Sequence, residues 1–165
     1  MKYRADIDGL RTIAVVPVVL FHVGIMLFPG GFIGVDVFFV ISGYLITKII
    51  YGKITEGEFS ISEFYRKRID RLLPVLISVL LFCTIIGWVV NTPDEYSDLA
   101  KSIFSAVFFI SNIFFFWTED YFSASSFTIP LLHTWSLGVE EQFYIFFPLA
   151  LSLSLFFQSK KMHRK

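Results

Sequence analysis

The stretch LRTIAVVPVVLFHVGIMLF, from Leu10 to Phe28, decides the fold class of this chain. It is as long as the roughly 20 helical residues that cross about 30 Å of hydrocarbon. Arg11 opens the stretch and His22 lies inside it. An ionisable side chain in a span is costly and usually faces a protein interior or a water-filled cavity. The stretch therefore predicts a membrane-spanning helix that carries a functional histidine.

The composition is that of a membrane protein. Hydrophobic residues make up 55% of the 165 residues and the mean hydropathy is +0.68, which is more than a soluble domain of this size needs for its core. The formal net charge of +0 gives no attraction to nucleic acid, so we expect no nucleic-acid partner. The one cysteine, Cys83, has no second cysteine with which to form an intrachain disulfide.

The long apolar segments predict an all-α fold, a polytopic bundle of about four transmembrane helices that occupies residues 1–165. The predicted spans, each long enough to cross a bilayer, are 10–28, 32–51, 72–90 and 135–157. Segment 101–117 is shorter and carries several serines and an asparagine. We expect it to be an interfacial or re-entrant helix.

Basic residues orient these spans, because Lys and Arg in short loops remain in the cytoplasm. A first basic group precedes the first span, and a second group, from Lys48 to Arg71, lies between the second and third spans. The tight turn at 29–31 and the acidic segment 91–98 then lie outside. The basic C-terminal segment KKMHRK returns to the cytoplasm after one further crossing. We therefore expect a multi-pass protein with a cytoplasmic N-terminus.

Arg11, His22 and Asp36 form a first candidate site. Arg11 and His22 share one face of a helix and lie about 16 Å apart along it. Asp36 begins the second span, so it could approach His22 and raise the basicity of the imidazole, as a general base requires. The alternatives are an anchoring arginine, a hydrogen-bonded interhelical histidine and an acidic residue favoured by the helix dipole.

Arg68 and Arg71 form a second candidate site, in the motif FYRKRIDRLLP. Their spacing of three residues places both on one helical face at the cytoplasmic mouth of the third span. Guanidinium groups bind phosphate through two parallel hydrogen bonds, so the pair suits a multiply phosphorylated ligand. Taken by itself, the pair is more simply interpreted as topogenic charge that contacts anionic lipid.

Glu140 and Glu141 form a third candidate site, in the motif PLLHTWSLGVEEQFY. Two carboxylates in an otherwise apolar span are costly and indicate a functional role. His133 precedes Glu140 by seven residues, which on a helix would bring both to one face. The alternative is a structural polar network between helices.

Four motifs carry a resemblance to a known family. In chain order they are YRADIDGLRTIAVVPVVLFH, GGFIGVDVFFVISGYLI, FYRKRIDRLLP and LLHTWSLGVEEQFY. The chain closely resembles the N-terminal part of the membrane acyltransferase 3 family, which includes bacterial O-acetyltransferases of lipopolysaccharide O-antigen, peptidoglycan and exopolysaccharide. The likeness is strongest to the branch that carries an SGNH esterase-like domain after its membrane part.

The resemblance implies an inner-membrane O-acyltransferase. In the family, an acyl group, usually acetyl from cytoplasmic acetyl-coenzyme A, passes to a hydroxyl of a polysaccharide or lipid-linked glycan. The Arg-x10-His pattern matches Arg11 and His22, and the Arg-x-x-Arg pattern matches Arg68 and Arg71. The resemblance thus implies that the three arginines hold the phosphorylated donor and that His22 is the base or a transient acyl carrier. No metal is implied.

The resemblance also implies roles for the three acidic residues. Asp36 would orient or tune His22, and Glu140 and Glu141 would line the acyl pathway or the acceptor site. Family members have many more spans than are predicted here, so we expect a fragment that depends on a second polypeptide for the missing spans. A non-catalytic relic or membrane packing partner is the alternative, and a proton-coupled transporter is a weaker one.

Overall fold

The computed structural model describes residues 5–23, 30–118 and 129–162. No strand occurs within these ranges, which confirms the predicted all-α class. A short 3₁₀ turn, Gly31–Ile33, precedes the second helix. The α-helices are α1 (Ala5–His22), α2 (Gly34–Thr55), α3 (Ile61–Val90), α4 (Pro93–Val107), α5 (Ser111–Thr118) and α6 (Thr134–Met162). The chain forms two compact units, Met1–Phe59 and Ser60–Lys165.

Two of the predicted spans lie in helices that suit a bilayer. The stretches Gly31–Thr55 and Ile61–Val90 are long and apolar enough to cross a membrane. They contain the predicted spans 32–51 and 72–90, and both helices extend further toward the basic loop. Helix α3, with 30 residues, is about 45 Å long and exceeds the roughly 30 Å of hydrocarbon. The basic motif before the third span is therefore helical.

The other two predicted spans remain predictions. Helix α1 begins at Ala5, before the expected start, and the described helix ends at His22. The last part of predicted span 10–28 lies outside the described residues. Helix α6 covers predicted span 135–157 and, with 29 residues, is long enough to cross a bilayer.

In the first unit, two glycines bring α2 against the backbone of α1. A Cβ added to Gly31 would collide with the carbonyl oxygen of Pro17, and one added to Gly34 would collide with the carbonyl oxygen of Ala14. Small residues allow this close approach of helix backbones in membranes. The rings of Phe21 and Phe32 pack edge to face beside the glycines, with centroids 5.7 Å apart.

In the second unit, α4 leaves α3 through a sharp, well-capped turn. The Thr92 side chain accepts a hydrogen bond from the Glu95 backbone amide, and the Glu95 carboxylate accepts one from the Thr92 amide. Pro93 occupies the first turn, where its missing N–H is not needed. Behind the turn, apolar side chains of α3, α4 and the segment before α6 form the core: Leu76, Leu80, Leu99, Ala106 and Leu131.

The segment expected to be interfacial or re-entrant, 101–117, is divided between two helices. Helix α4 ends at Val107 and α5 begins at Ser111, with Phe109 between them at a φ of 54°. The helices have 15 and 8 residues, so they are about 22 and 12 Å long. Neither helix alone would cross about 30 Å of hydrocarbon.

An amide pair fixes α5 against α6. The side-chain amide of Gln142 donates to Asn112 Oδ1 at 2.9 Å, and Asn112 Nδ2 donates back to Gln142 Oε1 at 3.2 Å. Gln142 also donates to the carbonyl of Phe109 at 2.8 Å, which satisfies an acceptor at the helix break. A Cβ on Gly138 would lie 2.9 Å from Asn112 Oδ1, so the helices touch closely one turn before Gln142. These contacts set the position of α6.

Candidate functional site

In the first unit, the imidazole of His22 is held by its own helix. Nδ1 lies 2.7 Å from the carbonyl oxygen of Val18, one turn earlier. A backbone carbonyl only accepts hydrogen bonds, so Nδ1 carries the proton of this contact. In the neutral ring Nε2 then holds a lone pair, which is what a general base or nucleophile needs. Phe21 packs edge-on against the half-buried ring, with centroids 5.2 Å apart.

Arg11 lies on the same helix as His22, as the spacing predicts, and reaches toward α2. Its guanidinium carbon lies 4.9 Å from the centroid of the Phe38 ring, which favours a cation. Its Nε is buried and has no hydrogen-bond partner among the described residues. An unpaired buried donor is costly, so Nε is available to an anion that reaches it.

Asp36 lies in the first turn of α2 and is exposed. A carboxylate at this position is favoured by the helix dipole, as one of the sequence alternatives states. The contact that orients Nδ1 of His22 comes from Val18. The approach of Asp36 to His22 therefore stays a prediction.

In the second unit, the guanidinium of Arg68 binds the carboxylate of Glu141. Nε and Nη2 lie 3.0 and 2.9 Å from the same Glu141 oxygen. The Glu141 residue is only 6% exposed, so the pair is largely removed from solvent. Helix α3 supplies the cation and α6 the anion, and a second contact, from the Tyr65 hydroxyl to the Ile145 carbonyl at 2.8 Å, joins the same two helices.

Glu140 and Tyr144 complete this cluster. Nη2 of Arg68 lies 3.7 Å from Glu140 Oε1, and the buried Tyr144 hydroxyl donates to that same oxygen. The Tyr144 ring lies directly under the guanidinium, 3.0 Å from ring centroid to Cζ. We call Arg68, Glu140, Glu141 and Tyr144 the arginine cluster. It contains one cation and two carboxylates.

The structure distinguishes the two arginines that the sequence pairs. Arg68 is half-buried in the arginine cluster, whereas Arg71 is exposed. His133, which the spacing puts on the helical face of Glu140, lies in the turn before α6 and is also exposed. Helical spacing therefore does not relate His133 to Glu140.

Sequence reasoning missed Tyr144. The residue follows Glu140 by four positions, which is the spacing of neighbours on a helix face, and this spacing is its one sequence signal. Its role depends on Arg68, which is 76 positions earlier in the chain and whose helix the sequence does not pair with α6.

Comparison with known proteins bears on the function of the residues around His22 and of the arginine cluster. A family model described as an acyltransferase domain, that of acyltransferase 3, matches residues 4–163. The chain belongs to the acyltransferase 3 family. The match includes every residue of the three candidate sites predicted from the sequence, and Tyr144 as well, so the resemblance drawn from the four motifs is confirmed.

Curated relatives of this chain include proteins of Staphylococcus aureus. A protein of strain MSSA476, provisionally named an O-acetyltransferase, is 40% identical over 99% of this chain and 27% of its own length. O-acetyltransferase OatA of strain NCTC 8325 / PS 47 is 35% identical over 93% of this chain and 26% of its own length. The chain thus spans about a quarter of the length of these relatives. No solved structure matches the chain.

Proposed function

We propose that this chain is part of a bacterial inner-membrane O-acyltransferase that moves an acetyl group from acetyl-coenzyme A to a hydroxyl of a cell-surface polysaccharide. Family membership and the names of the relatives support acyl transfer. The observation that carries the proposal is the orientation of His22. Its Nδ1 donates to the Val18 carbonyl, so the neutral ring has its lone pair on Nε2.

Two reaction sequences fit this imidazole. As a general base, Nε2 takes the hydroxyl proton while the hydroxyl oxygen attacks the thioester carbonyl, the C–S bond breaks, and the proton passes to the departing thiolate. As an acyl carrier, Nε2 itself attacks the thioester, and the thiolate leaves. The hydroxyl oxygen then attacks the acyl-imidazole, its proton passes through solvent to the thiolate, and the C–N bond breaks to restore the ring. Both sequences yield an ester and a thiol.

The arginines are assigned to the donor, whose phosphates need cations. Arg71 is exposed and offers its guanidinium to a phosphate directly. Arg68 has Nε and Nη2 committed to Glu141, so a phosphate would meet its remaining N–H groups or displace the carboxylate. Arg11 contributes the buried, unpaired Nε. We assign Arg71 to the first contact with the donor.

The acidic residues receive secondary roles. Asp36 is assigned to tuning His22, from the outer end of α2. Glu140 and Glu141 are assigned to the acyl pathway or the acceptor site. Their contacts with Arg68 offset the charge of its guanidinium, which is consistent with a first donor contact at Arg71. Spans beyond these helices would come from a longer chain or from a second polypeptide.

The test is transfer of label from radiolabelled acetyl-coenzyme A in bacterial membranes that contain this chain, alone and together with any polypeptide encoded downstream. His22→Asn keeps a side-chain N–H near the position of Nδ1, so the contact with Val18 survives, but it removes Nε2. We expect it to lower labelling of glycan or protein by about 10² to 10⁴-fold, which is the usual contribution of a general base. His133→Ala, which removes an exposed imidazole, is the matched control.

The outcomes separate the candidate functions. Label that depends on His22 supports the proposal, whether the chain acts alone or needs the second polypeptide. Equal labelling by wild type and His22→Asn would contradict the role of the imidazole. An absence of label in both arrangements would instead favour a non-catalytic membrane partner.

A further inference from the structure

A cleft of about 550 Å³ opens in the second unit, away from the arginine cluster. It is bounded by the end of α3, the first turns of α4 and the end of α5. Its polar lining includes Asn91, Glu95, Asp98 and Lys101, and Phe114 contributes apolar surface. The volume falls within the range of small-molecule binding sites.

The cleft and the arginine cluster lie at opposite ends of α3. Arg68 is near the start of this helix, and Asn91 follows its last residue. The 23 positions between them correspond to about 35 Å of helix, which exceeds the hydrocarbon thickness of a bilayer. A helix that crosses a membrane has its two ends at opposite faces, and α3 is long and apolar enough to cross one. The positive-inside rule assigns the basic end to the cytoplasm, and with that orientation the cleft would face outward.

The side chains that line the cleft indicate which class of ligand it could bind. Glu95 already accepts hydrogen bonds from Thr92, and Asp98 is paired with Lys101 at 2.7 Å, but both carboxylates keep lone pairs that can accept from hydroxyl groups. The Asn91 amide and the remaining N–H groups of Lys101 can donate to hydroxyl or carbonyl oxygens.

Two carboxylates against one ammonium give the cleft a net negative charge, and its described lining residues include no further cation, such as the exposed Arg71 near the arginine cluster, that would attract a phosphate group. Phe114 offers an apolar surface to the C–H face of a sugar ring. An uncharged, polyhydroxylated ligand suits this lining.

We propose that this cleft, at the end of α3 opposite the arginine cluster, binds the glycan that accepts the acyl group. The inference rests on the proposed function, since it assigns the acceptor side of the same transfer. It divides the reaction between the two ends of α3, with the phosphorylated donor at one membrane face and an uncharged saccharide at the other.

The experiment measures saccharide binding without any acyl donor. The full 165-residue chain is placed in lipid nanodiscs, and an N-acetylglucosamine tetrasaccharide is titrated by calorimetry. We expect saturable binding that Asp98→Asn/Lys101→Gln weakens at least about tenfold, because hydrogen bonds to charged groups are lost. Lys101→Met is a second variant at an exposed side chain and should weaken binding by a smaller factor.

The chain offers a matched control for the double substitution. Glu63 and Lys67 form an exposed ion pair at the other end of α3, just as Asp98 and Lys101 do on α4. Glu63→Gln/Lys67→Gln therefore removes the same chemistry outside the cleft and should leave saccharide binding unchanged. Circular dichroism of each variant checks that it retains the helical content of the wild type.

Several results would overturn the assignment. These are an absence of binding by wild type, equal binding by the cleft and control variants, or displacement of the saccharide by inorganic phosphate. Each would leave the acetyl-labelling result with His22→Asn untouched, since that assay reports donor chemistry. Conversely, equal labelling by wild type and His22→Asn would contradict the proposed function and would not change the saccharide binding isotherm.

Discussion

Helices α1 and α2 meet through glycines that bring backbone against backbone, whereas α3 and α6 meet through a guanidinium held between carboxylates. The glycine contact is made between backbones, so a substitution there acts through steric overlap. The second contact depends on the balance of buried charges. Each pair carries one of the candidate sites, His22 on α1 and the arginine cluster on α3 and α6. The two sites should therefore respond differently to the same kind of substitution.

The difference also concerns how each functional group is held. His22 Nδ1 contacts a carbonyl four residues earlier, so a contact within its own helix fixes its tautomer. Arg68 takes its orientation from a carboxylate 73 residues later, so it is correctly placed only once α3 and α6 have packed. The imidazole is an intrinsic feature of α1, whereas the guanidinium site is a product of tertiary structure.

The largest effect is expected at the arginine cluster. Arg68→Ala leaves the buried Glu141 without its counter-charge, which typically costs about 3–5 kcal/mol. Adding Glu141→Ala removes the unpaired buried charge. The loss of free energy of unfolding in the double variant should therefore be smaller than the sum of the losses in the two single variants. Denaturation in detergent micelles, analysed as a double-mutant cycle, measures the coupling.

A control for this cycle lies on the same helix. The exposed pair Glu63 and Lys67 should show a coupling of no more than about 0.5 kcal/mol, because solvent screens it. Similar couplings for the two cycles would mean that the arginine cluster is no more than a surface ion pair, and the contrast between the two helix pairs would fail.

The next effect concerns the glycine contact. Gly34→Ala places a Cβ against the Ala14 carbonyl, which is backbone and cannot rotate away, so we expect a loss of about 1–3 kcal/mol. Gly43 lies on the same helix with nothing within 4 Å of an added Cβ, and Gly43→Ala should be neutral or stabilising by up to about 1 kcal/mol. Thermal unfolding of the two variants compares them directly, and equal midpoints would rule out close packing at Gly34.

The sequence predicts the local features of this molecule better than the tertiary ones. The helical spacing of Arg11 and His22 and the all-α class follow from apolar runs and their periodicity. The partner of Arg68 does not, because a helical face does not reveal which helix it will meet. The break at Phe109 also could not be predicted from the sequence, because neither Gly nor Pro occurs at it. The carbonyl of Phe109 accepts a hydrogen bond from Gln142, which belongs to another helix.

A smaller effect separates the two contributions of Tyr144. Tyr144→Phe keeps the ring under Arg68 and removes the hydrogen bond to Glu140, at a cost of about 1 kcal/mol. Tyr144→Leu also removes the ring, and the lost cation–π contact should add about 0.5–2 kcal/mol. The free energies of unfolding of both variants in the same micelles give the contribution of the hydrogen bond and that of the cation–π contact. If the Phe and Leu variants were equally stable, the ring would contribute only apolar volume.

The smallest effect concerns the Thr92–Glu95 cap of α4, a contact within one helix end like that of His22 with Val18. It tests whether a change in this cap stays local. The hydrogen bond from the Thr92 backbone, followed by that from its side chain, lowers the pKa of Glu95 below its usual 4.5. A lowered pKa means that the cap stabilises α4 at pH values above about 4.5 and is lost as the pH falls through the lowered value. Carboxyl chemical shifts measured against pH should show this. Thr92→Val should raise the pKa toward 4.5 and leave the Arg68–Glu141 coupling unchanged, and a change in that coupling would mean that the cap also supports the packing of α3 on α6.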